Sequence, residues 1–404
     1  MKRRPHLSLL SILVVACGML LGQSALAATA HASDHEPTFY VSPHGSDSSG
    51  TGSRAHPFKT IEHAVTVAPS GASVVVESGV YREDVTITHE LRLTGDDQPT
   101  IDALHQNNGI VIAGPRTAGT VVSGFTVEWA TFEGILAVQT QGVTIQKNTI
   151  RNNDQGIFLP PSQQTGECAA AGPIPGDCGE GLHLMSVTGS KVLDNKIHNN
   201  SGGILLSDEL GPTAWNRIAG NRVENNLYDC GITIVGHSPN ALSSTGKRQP
   251  SVAGVHDNTI AWNVVNGNGV LGEGGGILIG VALPGSAVYN NRILDNFAEG
   301  NGLAGVTLHS HIPGVQDIND NVIVGNTLVH NALDGRGPGK PGDSDTSDTH
   351  TTDLLIAGAS LVSGTVVTGN HLRDAYFGIW TQTAAPIDAD DNQFNDITVH
   401  LHQQ

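Results

Sequence analysis

The residues best suited to chemistry lie after short apolar runs in the second half of the chain. His309 and His311 alternate along one run, so both rings are expected on one side of a strand, where they suit acid–base catalysis or metal binding. His237 follows an equivalent run, and Asp317 comes shortly after His311. These four residues are predicted to form the centre of a catalytic site, as acid, base or substrate-positioning groups.

Carboxylates supply a second set of candidates. Asp154 and Asp229 each stand three residues before an isoleucine, Ile157 and Ile232, in runs that align. Strands two repeats apart would place them about 10 Å from each other, which suits an inverting carboxylate pair or a bridging calcium ion. Asp229 is therefore predicted to be catalytic, and Asp154 and Glu209 to bind substrate. Capping of a turn is the alternative role for both aspartates.

The identity of any cofactor is left open by these residues. Zinc or copper at His309 and His311 needs a third ligand, from His237 or Asp317. The net charge of −18 makes a polyanionic substrate awkward without a bridging cation, so calcium is the cofactor that the charge suggests. The same charge argues against nucleic acid as a partner.

These candidates lie on a phrase that is repeated along most of the chain. An asparagine is followed two residues later by an apolar residue, then by a polar turn and a Gly-Ile-x-Leu run, as in Gly156–Leu159. The asparagines are Asn148, Asn195, Asn221, Asn258, Asn291, Asn321, Asn370 and Asn392. The shortest interval, Asn370 to Asn392, and the several short strands in each unit indicate a solenoid. Each coil then buries its apolar face on its neighbours.

Strands rather than helices are expected in each coil. The apolar runs are short and punctuated by Gly and Asn, and no 3.6-residue apolar period is sustained between them. The 50 glycines and low aromatic content also suit a turn-rich fold. The prediction is an all-β, single-stranded right-handed parallel β-helix, whose asparagines stack at inward-turning corners.

The first 27 residues have the pattern of a signal peptide. Basic residues open the chain, an apolar core runs from Leu7 to Leu21, and Ala25-Leu26-Ala27 forms a small-residue cleavage site. The protein is therefore predicted to be secreted after cleavage behind Ala27, with lipid attachment at Cys17 as the alternative. After export, Cys168 and Cys178 are predicted to form a disulfide around a Gly/Pro-rich insertion, which leaves Cys230 buried and unpaired.

The segment behind the signal peptide and a short linker (28–37) has a pattern of its own. A strand at Phe39–Pro43 precedes Pro57–Ile61, a short helix is predicted to about Ala68, and Gly71–Val76 and Gly79–Glu83 follow. This stretch resembles the N-terminal cap of secreted right-handed parallel β-helix proteins, the pectate-lyase-like and NosD-like superfamily. The cap is placed at about 38–84 and the coils at about 85–404. No other segment is apolar enough to span a membrane.

The resemblance implies activity on carbohydrate. In the lyases of this superfamily, calcium neutralises the uronate and a Lys or Arg abstracts a proton. The basic residues of this chain are instead expected near the asparagine corners, on a different face from the histidines. They are Lys191, Lys196, Arg217 and Arg222. A monomeric polysaccharide lyase or glycoside hydrolase acting on an extracellular polysaccharide is the leading interpretation. The alternative is a non-catalytic exported β-helix, either a glycan-binding surface protein or a metal accessory protein.

Overall fold

Short parallel strands form most of the regular structure, and alternate residues of each strand point into a common core. The computed structural model describes residues 36–160, 162–164, 178–271, 274–310, 312–333, 350–387 and 391–403. The described residues from Glu36 onward form one unit. The same ranges contain no helix with the length and apolar character that crossing a bilayer requires. The predicted signal peptide, its cleavage site and Cys17 lie outside them.

The strands stack into three long parallel sheets, which we call A, B and C. Sheet A contains Thr38–Val41, Ser73–Val76, Arg92–Gly95, Val121–Ser123, Thr144–Gln146, Lys191–Leu193, Arg217–Ala219, Thr259–Ala261, Arg292–Leu294, Val322–Val324 and Val366–Thr368. Sheet B contains Val80–Tyr81, Thr100–Asp102, Thr126–Glu128, Thr149–Arg151, Lys196–His198, Arg222–Glu224, Val264–Asn266, Phe297–Glu299 and Thr327–Val329.

Sheet C carries the longer strands; His309 lies on one of them, and His237 directly follows another. Its members are Val85–Ile87, Ile110–Ala113, Ile135–Val138, Glu180–Met185, Gly202–Ser207, Ile232–Gly236, Ile277–Val281, Val306–Ser310 and Thr352–Val362. The last two strands, His371–Ala384 and Gln393–Gln403, bend through both sheet B and sheet C. Short strands at the corner between sheets C and A form a further parallel ladder: Thr213–Ala214, Val255–His256 and Val288–Tyr289.

A helix closes the N-terminal end of the coil stack, as the sequence predicts. It spans Ile61–Val67, Thr60 caps it, and the buried side chains of Ile61 and Val65 join the core. The carboxylate of Glu83 accepts the N–H groups of Ile61 and Glu62, at 2.9 and 2.8 Å, and so satisfies donors that a short helix leaves open. The apolar end of the solenoid is thereby covered.

Stacked asparagines line the inner corners, but in three ladders rather than the single series predicted. The first runs through Asn148, Asn195, Asn221, Asn263, Asn296, Asn326, Asn370 and Asn392. The second runs through Asn153, Asn200, Asn226, Asn268, Asn301 and Asn331 and ends on Asp353. The third joins Asn216, Asn258, Asn291 and Asn321. The phrase Asn-x-Ile precedes strands of both sheet A and sheet B, and the prediction merged the two corners.

The Gly-Ile-x-Leu runs from Gly203 onward are strands of sheet C, as predicted, but the first run is not. Gly156–Leu159 overlaps a 3-10 helix, Gln155–Phe158, and the strand of that coil is Glu180–Met185. In that strand, Leu182 pairs with Ile135 of the preceding coil and with Ile204 of the next. The sheet C strand of this coil therefore begins at Glu180, where Gly181-Leu182-His183-Leu184 completes the repeat.

We predict that Asn221→Ala will lower the free energy of unfolding by about 2–5 kcal/mol, because it leaves buried groups of two neighbouring coils unsatisfied. The Asn221 amide accepts the backbone and side-chain N–H groups of Asn195 and donates to Asn263 and Val192. Chemical denaturation followed by circular dichroism measures the effect.

The control is Asn225→Gly. Asn225 is exposed at a corner and has left-handed backbone (φ 57°), which glycine adopts without strain. Equal loss of stability in the two variants would show that the ladder does not carry the effect.

Candidate functional site

The strand register of sheet C sets which outward side chains are neighbours. Leu205 pairs with His183 of the preceding coil and with Thr233 of the next. Ser207, two residues later, aligns with Val235, Gly280 and His309 in successive coils. Outward residues of one column are therefore about 4.8 Å apart from coil to coil, close enough for side chains to hydrogen-bond.

Five polar side chains on this face form a continuous series of hydrogen bonds, which we call the relay. His183 Nδ1 lies 3.4 Å from Glu133 Oε1, and its Nε2 lies 2.7 Å from Ser207 Oγ. The Ser207 hydroxyl donates to Glu209 Oε2 at 2.5 Å. Glu209 Oε1 lies 2.6 Å from His237 Nδ1. The relay thus joins successive coils of sheet C through groups that can hold and pass protons.

Most of the relay is withdrawn from solvent, with Glu209 as its most open member. Ser207 and His183 are 0% and 1% exposed, and Glu133 and His237 are also buried. The Glu209 side chain is 23% exposed. A ligand on the outer face of sheet C would therefore meet Glu209 first.

The electrostatics of the relay favour an ionised Glu209. Burial by itself would raise the pKa of this carboxyl, but the hydrogen bond and charge of His237 outweigh it. The charge of His183 and the Ser207 hydroxyl act in the same direction, and together they lower the pKa of Glu209 to about 2. Glu209 is therefore an acceptor for both of its neighbours at neutral pH.

Asp208 positions the segment that carries His237. Its carboxylate accepts the backbone N–H groups of His237, Ser238 and Gly254, at 2.7, 2.9 and 2.7 Å. Both ends of the 237–254 insertion are thus held by one buried side chain. Burial raises the pKa of Asp208 to about 6, although the three N–H groups pull in the opposite direction.

The predicted histidines are placed differently from one another. His237 contacts Glu209, as the alignment of their columns predicts. His309 is buried in Val306–Ser310, in the column of Ser207 rather than that of Glu209. Its ring leans over Gly280, where an added Cβ would come within 3.2 Å of it. His311 lies outside the described residues.

Asp317 is bound to another part of the 237–254 insertion. The guanidinium of Arg248 donates to both Asp317 oxygens, at 2.6 and 3.2 Å, and to Asp320 at 2.7 Å. These carboxylates raise the pKa of Arg248 despite its partial burial. Asp317 therefore serves as a partner of Arg248 at the corner of the coil.

Asp154 and Asp229 do not occupy the equivalent places that the sequence predicts. Asp154 directly follows Asn153 of the second asparagine ladder, whereas Asp229 is three residues beyond Asn226 of the same ladder. Asp154 directly precedes the 3-10 helix, makes no side-chain capping hydrogen bond to it and lies against Gly179, while Asp229 lies against Gly202. Burial raises the pKa of Asp154 to about 6. The repeat therefore does not place these two aspartates at the equivalent positions that an inverting pair would need.

The cysteine predictions are tested in part. Cys178 is disulfide-bonded, and Cys168, its predicted partner, lies outside the described residues. Cys230 is a buried free cysteine, as predicted. Burial raises the pKa of its thiol, so it is held protonated.

Comparison with known proteins identifies the architecture. Residues 100–247, which include the whole relay, match a family described as "Right handed beta helix region". An alginate lyase from Paenibacillus sp. str. FPU-7 superposes with a TM-score of 0.52 at 12% identity, over 85% of this chain and 96% of the lyase. The chain is a right-handed β-helix repeat protein.

Curated relatives match shorter parts of this β-helix protein. Pectinesterase A of Dickeya dadantii (strain 3937) is 30% identical over 141 residues, 34% of either chain. The uncharacterized protein YwoF of Bacillus subtilis (strain 168) is 34% identical over 79 residues, 20% of this chain and 16% of YwoF. The matched region thus spans about a third or less of these relatives. At this identity, the likeness to the alginate lyase is one of fold.

Sequence reasoning missed the inner half of the relay. Glu133 and His183 were not singled out, although Glu133-Gly134-Ile135 and Gly181-Leu182-His183-Leu184 both fit the Gly-Ile-x-Leu phrase. The variable position of that phrase points outward, so a histidine there is a recognisable signal. The Gly156–Leu159 run hid this signal, because it was interpreted as the sheet C strand of that coil.

We predict a pH-dependent contribution of Glu209 to the stability of the β-helix protein. Because the pKa of Glu209 is about 2 in the folded protein, below the ordinary 4.5, its ionisation stabilises the fold above pH 4.5. This stabilisation is lost as the pH falls through 2. The difference in unfolding free energy between the wild type and Glu209→Gln should therefore shrink by about 3 kcal/mol between pH 5 and pH 2. Denaturant titrations at a series of pH values measure it.

The control for this experiment is Glu224→Gln. Its carboxylate is 25% exposed and ion-paired with Arg222 at 2.6 Å, so the variant reports the loss of a comparably exposed acid on sheet B. A difference between Glu209→Gln and the wild type that stays constant from pH 5 to pH 2 would contradict the assignment of a low pKa to Glu209.

Proposed function

We propose that this protein is exported and cleaves an extracellular polysaccharide, by hydrolysis or elimination, on the outer face of sheet C. The observation that carries the proposal is the 2.6 Å contact between Glu209 and His237, a carboxylate–imidazole pair on an elongated face that suits a linear polymer. The signal-peptide pattern of residues 1–27 supports export. Similarity to a pectinesterase over 141 residues supports a carbohydrate substrate.

His237 is the proposed general acid–base of the reaction, with Glu209 as its positioning residue. Because the ionised Glu209 accepts hydrogen bonds and cannot donate them, Nδ1 of His237 carries the proton between them. Nε2 of His237 is then the proposed site of proton exchange; because the ring is buried, the substrate must reach it past the more exposed Glu209. Glu209 also stabilises the imidazolium that forms when His237 takes a proton.

The inner half of the relay supplies charge rather than a nucleophile. Ser207 gives its single proton to Glu209, so His183 Nε2 donates to the Ser207 oxygen. His183 Nδ1 then faces Glu133, and a proton is required between these two atoms as well. In this arrangement His183 cannot act as the base for Ser207.

Ester hydrolysis on a polysaccharide is a second candidate, favoured by the 2.7 Å contact between Ser207 and His183 and by the buried Glu133 behind them. These residue types form Ser–His–Glu triads in acyl transfer. Because the Ser207 hydroxyl donates its proton to Glu209 and not to His183, the hydrogen bonds argue against ester hydrolysis. The two candidate reactions also have different products.

We predict that Glu209→Gln will lower turnover by about 10²–10⁴-fold, because His237 loses the carboxylate that fixes its tautomer and stabilises its charged form. The assay incubates the 28–404 protein with a panel of polysaccharides, with and without calcium. New reducing ends together with absorbance of unsaturated uronates indicate a lyase, and reducing ends alone indicate a hydrolase.

Glu224→Gln is the matched control and should keep wild-type turnover, since Glu224 lies on sheet B. A Glu209→Gln protein that keeps full activity would overturn the roles assigned here. If the wild type cleaves nothing in the panel but binds a glycan, the non-catalytic alternative is the correct one.

We further predict that Ser207→Ala will retain turnover to within about tenfold of the wild type, because its hydroxyl positions Glu209 and attacks nothing. Release of methanol or acetate from esterified pectins, measured beside reducing ends, separates the two candidate reactions. Complete loss of ester hydrolysis in Ser207→Ala, with the fold intact, would establish the second candidate instead.

A further inference from the structure

An aromatic groove of about 690 Å³ lies at the corner between sheets C and A, apart from the relay. The short corner ladder supplies one wall, with His256 and Tyr289, and Trp215 stands beside it. The other wall is the part of the 237–254 insertion that carries Lys247 and Arg248. The volume is within the range of about 300–1,000 Å³ that small-ligand sites occupy.

The rings of the groove are held in place by one another. The imidazole of His256 stacks on Tyr289, with centroids 5.0 Å apart and planes within 7°. Trp215 packs against His256 at 88° and 5.3 Å. The Arg248 guanidinium covers Tyr289 at 4.0 Å, and Asp317 and Asp320 fix its position. The indole orientation is therefore set before any ligand arrives.

Trp215 combines this fixed orientation with exposure. His256 and Tyr289 are buried, whereas Trp215 is 60% exposed. Its backbone adopts φ 58°, a conformation that bulky residues rarely take. A large aromatic side chain held open to solvent at such a corner indicates a contact surface.

The charges around the groove favour a neutral ligand. Lys247 and Arg248 contribute two positive charges, and three carboxylates face them, from Asp257, Asp317 and Asp320. Arg248 is already paired with Asp317 and Asp320, and Asp257 lies 2.8 Å from the His256 ring. The formal sum is −1, so the groove has no excess positive charge for an acidic group.

We propose that the groove is a second glycan-binding site, which takes a neutral pyranose unit against Trp215. The C–H face of a pyranose is weakly positive and apolar, and it complements the negative face of an indole. The hydroxyl groups around the ring match the polar groups at the groove: Lys247, Asp257 and Asn290. The side chains that hold the sugar are distinct from those of the relay.

The 237–254 insertion connects the groove to the face of sheet C. It begins at His237 of the relay, and a hairpin bridge between Leu242 and Arg248 brings its other part to the groove. Asp208 holds both ends of the insertion. The segment that walls the groove thus also carries His237 of the proposed cleavage face. The site requires a glycan ligand, but it does not require that the relay cleave it.

The test is glycan binding by Trp215→Asn in the 28–404 protein. Asparagine is chosen because it tolerates left-handed backbone, so the variant removes the indole without straining the corner. The matched control is Trp129→Asn. Trp129 is also exposed, at 38%, and has a φ of 69°, but it follows a strand of sheet B.

Affinity electrophoresis and isothermal titration with neutral polymers (xyloglucan, galactomannan, mixed-linkage glucan) and acidic ones (polygalacturonate, alginate) measure the outcome. We expect Trp215→Asn to weaken binding of a neutral polymer by about tenfold or more, as expected for one lost stacking contact. Trp129→Asn should bind within about twofold of the wild type, the size of an ordinary surface change.

The same titration with Glu209→Gln separates this inference from the proposed reaction. Loss of turnover with retained binding in Glu209→Gln, and loss of binding in Trp215→Asn, supports both. Binding that depends on Trp215 in a protein without turnover supports the groove alone. Equal affinity of Trp215→Asn and Trp129→Asn, or binding of acidic polymers only, overturns the second glycan-binding site.

Discussion

The asparagine ladders are the constraint on which the rest of this β-helix depends. Each amide accepts from the preceding coil and donates to the next, so a coil is paired only when its corner returns to one position. Along the first ladder the intervals are 47, 26, 42, 33, 30, 44 and 22 residues. Coils of very different length therefore stack in one register. Insertions leave and rejoin the solenoid without moving the strands around them, which is why they can vary in length.

The fixed register is also what makes the relay possible. His183, Ser207 and His237 come from successive coils, and each pair contacts only because the strands of sheet C align residue by residue. Side chains alternate between core and exterior along a strand, so a slip by one residue would turn Ser207 into the apolar core. The distances in the relay are thus a property of the ladders at the inner corners.

Local patterns in the sequence predicted the parallel β-helix, its helical cap and the sheet that carries His237 and His309. Which repeat a residue belongs to was harder to predict, because Asn-x-Ile precedes two different sheets and Gly156 imitates a strand start. The second of these errors placed Asp154 level with Asp229. The partner of Asp317 is Arg248, 69 residues earlier on an insertion, and no repeat relates the two. Contacts within the repeat could therefore be read from spacing, whereas contacts made by insertions could not.

Asp208 shows how the repeat and an insertion are joined. It stands just beyond the strand Gly202–Ser207, so the ladders fix its backbone, and its carboxylate collects N–H groups from both ends of the 237–254 insertion. A buried carboxylate is costly unless it is fully hydrogen-bonded, and here the insertion supplies those bonds. The insertion thus supplies the hydrogen bonds that the Asp208 carboxylate needs, and Asp208 in turn fixes both ends of the insertion. Because His237 begins this segment and Arg248 lies within it, one buried carboxylate sets the geometry of both the relay and the aromatic groove.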